Sequence, residues 1–226
     1  MPVDKNSGTP GLRDRKKAKR RDEILLHAKA LFAAQGIDAT TMADIAEAAQ
    51  VSPPTVFNYF GNKDGLLIAL IAEGSQNAIA HDVSMKPRTD SDFGTILVDT
   101  LVSVSEGTLN IAAKRVWRYA EAACIRHPDT ELAQEYKRVD SNLRHALEVF
   151  LGHYQISLRS QEHGNTAFLA ELIFDIWNAT FFELIKDESL DLAQHKARLS
   201  ARLRPLAAML FTDAFLASPV LKPTMR

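Results

Sequence analysis

Apolar residues return at every third or fourth position through almost the whole chain, and the strict alternation of a half-buried strand is almost absent. That period predicts an all-α fold. The 226 residues exceed a typical domain of about 150, so we expect a small helical unit joined to a larger bundle, about nine helices in all.

Three short helices fit near the start. The first is expected over about Arg20 to Gln35, with Ile24, Leu25, Ala28, Leu31 and Phe32 on one face and Gly36 as a left-handed stop. The second opens after Thr41, which with Asp44 three residues on has the pattern of a capping box, and Met42, Ile45, Ala46 and Ala49 make its buried stripe. It stops near Gln50. Ser52 is then placed as an N-cap, Pro53 as a first helical residue whose missing N–H costs nothing, and Val51 and Val56 as a hydrophobic staple.

The third helix is too short to hold itself together in water, so Val56 and Phe60 must pack on its neighbours. Pro54, Thr55, Asn58 and Tyr59 lie opposite, with Phe57 at the border. The free side is small, hydrogen-bonding and aromatic, and it has no acidic residue, as a surface pressed against phosphates requires. Two helices joined by a tight turn, the second exposing such a side, form a helix-turn-helix whose second helix enters the major groove. Asn62 and Lys63 open the next helix, where backbone N–H groups and the Lys charge suit a phosphate oxygen.

The stretch TTMADIAEAAQVSPPTVFNYFGNKDGLLIALI resembles the DNA-binding signature of the TetR/AcrR family of transcriptional regulators, and the resemblance extends over about residues 20–71. It implies that Thr41, Ser52, Pro53, Thr55, Asn58, Tyr59 and Lys63 lie at or near DNA. Pro53 and Pro54 stand where the family often has a polar residue or Gly, Phe57 where Tyr is common, and Gly65 where a better helix former is usual.

Charge supports an anionic partner. Residues 11–21 hold Arg13, Arg15, Lys16, Lys17, Lys19, Arg20 and Arg21 against Asp14 alone, whereas from residue 66 onward 17 Lys and Arg face 20 Asp and Glu. We expect residues 1–19 to form a flexible basic arm that follows the DNA backbone or enters a minor groove, residues 20–65 the DNA-binding domain, and residues 66–226 a ligand-binding and dimerisation domain.

Six further helices are expected in that last part: Lys63 to about His81; one from Phe93, interrupted at Gly107; Leu109 to Arg126; one through Leu132, Tyr136, Val139, Leu143, Ala146 and Phe150 to Gly152; Gly164 to Lys186; and Leu190 to Ala217. The eighth has two apolar sides, Phe168, Leu169, Leu172 and Ile176 on one and Phe174, Trp177, Phe181 and Ile185 on the other, so both must leave water. The resemblance implies that helices 8 and 9 pair with their copies in a homodimer; Phe181 and Leu210 are the first outward positions to test. Trp117, Tyr136, Phe174, Trp177 and Phe181 are candidate walls for a small-molecule effector, although each also reads as plain core.

Other chemistries find little support. The chain has no H-E-x-x-H, G-x-S-x-G or P-loop, and no two of its seven histidines are three or four residues apart. No metal, cofactor or catalytic nucleophile is expected. Cys124 is the single cysteine, which fits a reducing cytoplasm, and its place on an apolar helix face marks it as an inert thiol. No apolar run reaches the ~18 residues of a membrane span. The reading is a dimeric DNA-binding regulator, repressing by implication of the resemblance. A DNA-organising or cell-division factor of the same fold with a protein partner, and an all-α enzyme or adaptor, stay open as alternatives.

Overall fold

The computed structural model describes residues 11–81, 85–160 and 165–223, with backbone alone for residues 76–81. Among the described residues there are no strands, only the isolated bridges Tyr154 to Leu221 and Leu158 to Phe211. The helices are α1 (Leu12–Gln35), α2 (Met42–Ala48), α3 (Pro53–Phe60), α4 (Lys63–His81), α5 (Phe93–Ile111), α6 (Lys114–Arg126), α7 (Glu131–Gly152), α8 (Thr166–Lys186), α9 (Leu192–Leu210) and α10 (Asp213–Ala217). The fold is all-α as expected, with a tenth, short helix added. Described residues up to Leu70 form one compact unit and those from Ile71 onward a second, so the division falls inside α4.

In the first unit α2 packs against both α1 and α3. Ile24, Leu25, Ala28 and Phe32 of α1, Ile45 and Ala46 of α2, Val56 and Phe60 of α3, and Leu66 and Leu67 of α4 are among the side chains this unit closes to water. The helix expected to start at Arg20 starts at Leu12. Residues 12–19 are therefore the first turns of α1 and not an arm, because Lys, Arg and Ala are good helix formers and Asp14 in the first turn offsets their unfavourable place at the dipole's positive end. Residues 1–10 of the expected arm lie outside the described residues.

In the second unit α5 packs on α9, α7 on α8, α8 on α9, and α6 on both α7 and α8. One end is closed by aromatic rings: Phe93 stands 5.2 Å from Tyr154, 5.4 Å from Phe211 and 4.8 Å from Phe215. The Tyr154 hydroxyl donates to the Arg88 carbonyl and accepts from the Arg88 N–H, both at 2.9 Å. Deeper in, Trp177 Nε1 donates to Leu101 O at 3.1 Å and Ser105 Oγ at 2.9 Å, and Ser105 Oγ lies 2.8 Å from His195 Nε2. Three helices thus share one buried polar cluster.

Three further boundaries differ from expectation. Gly107 does not interrupt α5, since a glycine inside a helix costs only about 1 kcal/mol and the buried Leu101 and Ser105 hold the turns beside it. The break comes instead at Ala112, in extended backbone, so α6 begins at Lys114 and not at Leu109. The two helices turn by 89° there, and Trp117 Nε1 reaches back across the corner to Thr108 O at 2.9 Å. The last expected helix divides at Phe211 and Thr212 because the backbone there pairs sideways: Phe211 bridges Leu158, and Thr212 N donates to Ser157 O at 3.0 Å.

Candidate nucleic-acid interface

The turn before α2 is clamped from three sides. Thr41 Oγ1 accepts from Asp44 N at 3.1 Å while Asp44 Oδ2 accepts from Thr41 N at 2.8 Å, the reciprocal capping box read in the sequence. Those bonds hold the Asp44 carboxyl below its ordinary range. Thr40, fully buried, donates to Gly36 O at 2.7 Å and accepts from Gln35 Nε2 at 3.2 Å. Lys63 Nζ then donates to Ile37 O at 2.7 Å and lies 3.4 Å from Asp38 O. Its ammonium, expected on a phosphate, has two of its three donors on protein carbonyls.

Helix α3 starts at Pro53 after Ser52, as its sequence indicates, but Ser52 makes no side-chain cap. Its hydroxyl lies 2.8 Å from Thr55 Oγ1 instead. Val56 and Phe60 are buried, Ser52, Pro53, Pro54 and Asn58 exposed, and Thr55 and Tyr59 half-buried. Phe57, left at the border by the sequence, is 49% exposed and belongs to the open side. The helix ends at Gly61, whose φ of 71° suits glycine, and Asn62 Oδ1 accepts from Gly65 N at 2.8 Å to cap α4. Gly65 is required here: a Cβ on it would run into the Phe60 carbonyl oxygen.

Beside α3 lies the basic stretch of α1. Tyr59 Oη donates to Lys17 O at 3.4 Å, and the Arg21 guanidinium sits 5.4 Å from the centre of the Phe60 ring. Arg13, Lys17 and Arg21, four residues apart, therefore continue the packed stripe of Ile24 and Ala28 as a cationic line next to α3. Arg20 and Lys16 flank that line, whereas Arg15 and Lys19 point to the far side of the helix, where Lys19 pairs with Glu23 at 3.8 Å.

The ligand-wall candidates of the second unit fall into two groups. Phe174, Trp177 and Phe181 form a chain of rings, 5.8 Å and 5.1 Å between centres, with Trp177 and Phe181 stacked. Trp117 meets Tyr136 edge-on at 6.0 Å. Around Tyr136 are Glu121, which accepts its hydroxyl, and Asp140, whose carboxyl is pushed up to about 6 by burial, with the Glu121 charge adding to the rise and Arg144 opposing it. Arg144 itself stands 4.1 Å from the Phe174 ring centre. Burial with the same two acids lifts the Cys124 thiol to about 11, which keeps it protonated and unreactive.

Phe181 is 2% exposed and so cannot be the outward position expected. The outward side of α8 carries Phe168, Asp175 and Ala179, with Leu172 and Phe182 half-buried beside them, and that of α9 carries Ala201 and Met209. Phe168 is 59% and Met209 67% exposed. Leu210 is only half-exposed, next to the bridge at Phe211. Among the described residues no three His, Cys, Asp or Glu side chains are grouped to hold a metal, and no single helix is long and apolar enough to cross a membrane.

Comparison with known proteins agrees with this geometry. Residues 24–70 match the family model of bacterial regulatory proteins, tetR family. The chain is 43% identical to the HTH-type transcriptional regulator TcmR of Streptomyces glaucescens over 63 residues, which is 28% of each chain. It is 32% identical to the HTH-type transcriptional regulator BetI of Stenotrophomonas maltophilia over 152 residues, 63% of this chain and 71% of that one. A TetR-family regulator from Pectobacterium atrosepticum has the same fold, with a TM-score of 0.62 at 18% identity over 90% of this chain and 99% of that one. The chain belongs to the TetR family and is a transcriptional regulator of the helix-turn-helix class.

Proposed function

We propose that this regulator is a ligand-responsive repressor that binds an inverted-repeat operator as a homodimer and leaves it when a small molecule enters the second unit. The observation that carries the DNA part is the acid-free open side of α3 lying beside the cationic line of α1. Thr41, Ser52 and Thr55 bond phosphates, Lys63 neutralises one with its remaining donor, and the α1 cations follow the backbone. The exposed apolar sides of α8 and α9 pair with those of a second copy. Two copies of α3 then enter successive major grooves on one face of the duplex, with centres about 34–36 Å apart.

The effector site is proposed around Trp117 and Tyr136, where Glu121 and Asp140 supply polar contacts beside aromatic walls. An effector releases DNA only by binding the DNA-incompetent state more tightly, and by linkage operator DNA weakens the effector to the same degree. Recovery and sequencing of genomic fragments held by the purified protein tests the reading. A few sites sharing an inverted repeat are expected. No DNA retained at low salt, or footprints of one unrepeated half-site, would overturn it.

A further inference from the structure

Resting on the DNA-binding reading above, we propose that base recognition is carried by Pro54, Phe57 and Asn58 and that the half-site they read is built on A·T pairs. Thymine methyl groups meet Phe57 and Pro54, and an adenine edge meets Asn58.

The two edges of α3 are used differently. On one, hydroxyls are already engaged: Ser52 Oγ with Thr55 Oγ1 at 2.8 Å, and Tyr59 Oη with Lys17 O at 3.4 Å. On the other, Pro54, Phe57 and Asn58 stand three and four residues apart, all exposed. These positions share one side of a helix, and in an element of eight residues that side brings Pro54 of the first turn and Phe57 and Asn58 of the second to one groove-facing surface.

The chemistry of that edge selects bases. From Met42 to Asn62 the sequence has no Lys, Arg or His. The commonest guanine reader, a cation bidentate to O6 and N7, is therefore missing from both helices of the motif. The nearest following cation, Lys63, is held on Ile37 O at 2.7 Å. What remains is two apolar rings, which fit the thymine C5-methyl, and one carboxamide, which fits adenine N6 and N7. A phenyl ring 49% open to water on a DNA-facing helix finds in the thymine C5-methyl the largest apolar group that base edges offer in the major groove. The cations of α1 supply attraction to any duplex, and the open edge of α3 supplies the choice among sequences.

The test begins with selection of binding sites from a random duplex pool by the full chain. Each thymine of the selected half-site is then replaced by deoxyuridine, which deletes only the methyl group, and each adenine by 7-deazaadenine. Deoxyuridine at one or two positions per half-site should weaken binding about fourfold, the worth of one buried methyl group. Phe57→Ala should abolish that discrimination, Phe57→Leu should keep most of it, and both should keep the 7-deazaadenine effect. Asn58→Ala should show the reverse pattern. A selected half-site with G·C pairs at its sensitive positions, or an unchanged thymine-to-deoxyuridine ratio in Phe57→Ala, would overturn the inference while the protein still binds DNA. Failure to select any duplex at low salt would instead remove the DNA-binding reading itself.

Discussion

Lys63 Nζ lies 2.7 Å from the carbonyl oxygen of Ile37, so the first residue of α4 ties down the turn between α1 and α2. Lys63→Met keeps the aliphatic stem and removes this tie. Its loss should cost about 1–2 kcal/mol and should lower hydrogen-exchange protection of the amides at residues 36–41. Affinity for all duplexes should fall together, with the salt slope reduced by about one phosphate contact. Unchanged amide protection would show that the carbonyl bonds contribute nothing to the turn.

The cationic line of α1 makes a distinction among seven basic residues that composition does not. Replacing Arg13 and Lys17 together by Ala should flatten the dependence of log affinity on log salt by roughly two units. The same change at Arg15 and Lys19, on the far side of the helix, should leave the slope nearly as it was. Equal effects from the two pairs in binding titrations across salt concentrations would mean that α1 attracts DNA without orientation.

Assembly is testable on the outward side of α8 and α9. Met209→Arg and Phe168→Arg place a charge where each single chain is open to water, so folding should be unaffected. Their sedimentation should shift from dimer to monomer, because pairing would bury an unmatched charge at a cost of about 3–5 kcal/mol. Phe181→Arg is the contrasting case: its position is 2% exposed, and it should fail to fold. A wild-type monomer at micromolar concentration would count against the dimer.

Two buried groups make opposing demands on pH. His195 is fully buried and held down to about 4, chiefly by burial, so it favours the folded state above its ordinary value of 6.5 and ceases to do so as pH falls toward 4. Asp140, lifted to about 6 from 3.8, disfavours the folded state above pH 6, and this penalty fades as pH falls through the same window. In urea titrations Asp140→Asn should raise stability at pH 7–8 by on the order of 1 kcal/mol and expose the His195 slope between pH 6.5 and 4. An Asp140→Asn curve that overlays the wild type would refute the assignment.

What the sequence disclosed and what it concealed follow from the reach of each interaction. The Thr41–Asp44 box, Pro53 after Ser52 and the glycine stop at Gly36 are settled within four residues, and all are present. The α5–α6 corner at Ala112 is marked by no Pro or Gly; it depends on Trp117 reaching Thr108 and on Ala112 being buried. The α9–α10 break depends on a backbone pairing with residues some fifty positions earlier. Gly65 reads as a weak helix former, yet its lack of a side chain is what admits the Phe60 carbonyl. In the interface, helical projection found the buried side of α3 but could not show that Tyr59 is tied to Lys17, which leaves the open edge to Phe57.

The contact of Trp177 and His195 with Ser105 has a mechanical consequence. Apolar helices can slide past one another by small steps at modest cost, since one methyl contact replaces another. A slide of α5 against α8 or α9 would instead strand the Trp177 Nε1 donor and the His195 Nε2 atom in the interior, each at about 1–3 kcal/mol. These three helices behave as a keel. Shape change in the second unit then falls to elements outside this cluster, α6 and α7 among them, so their amides should respond to an effector in hydrogen exchange while those around Leu101 and Trp177 stay protected.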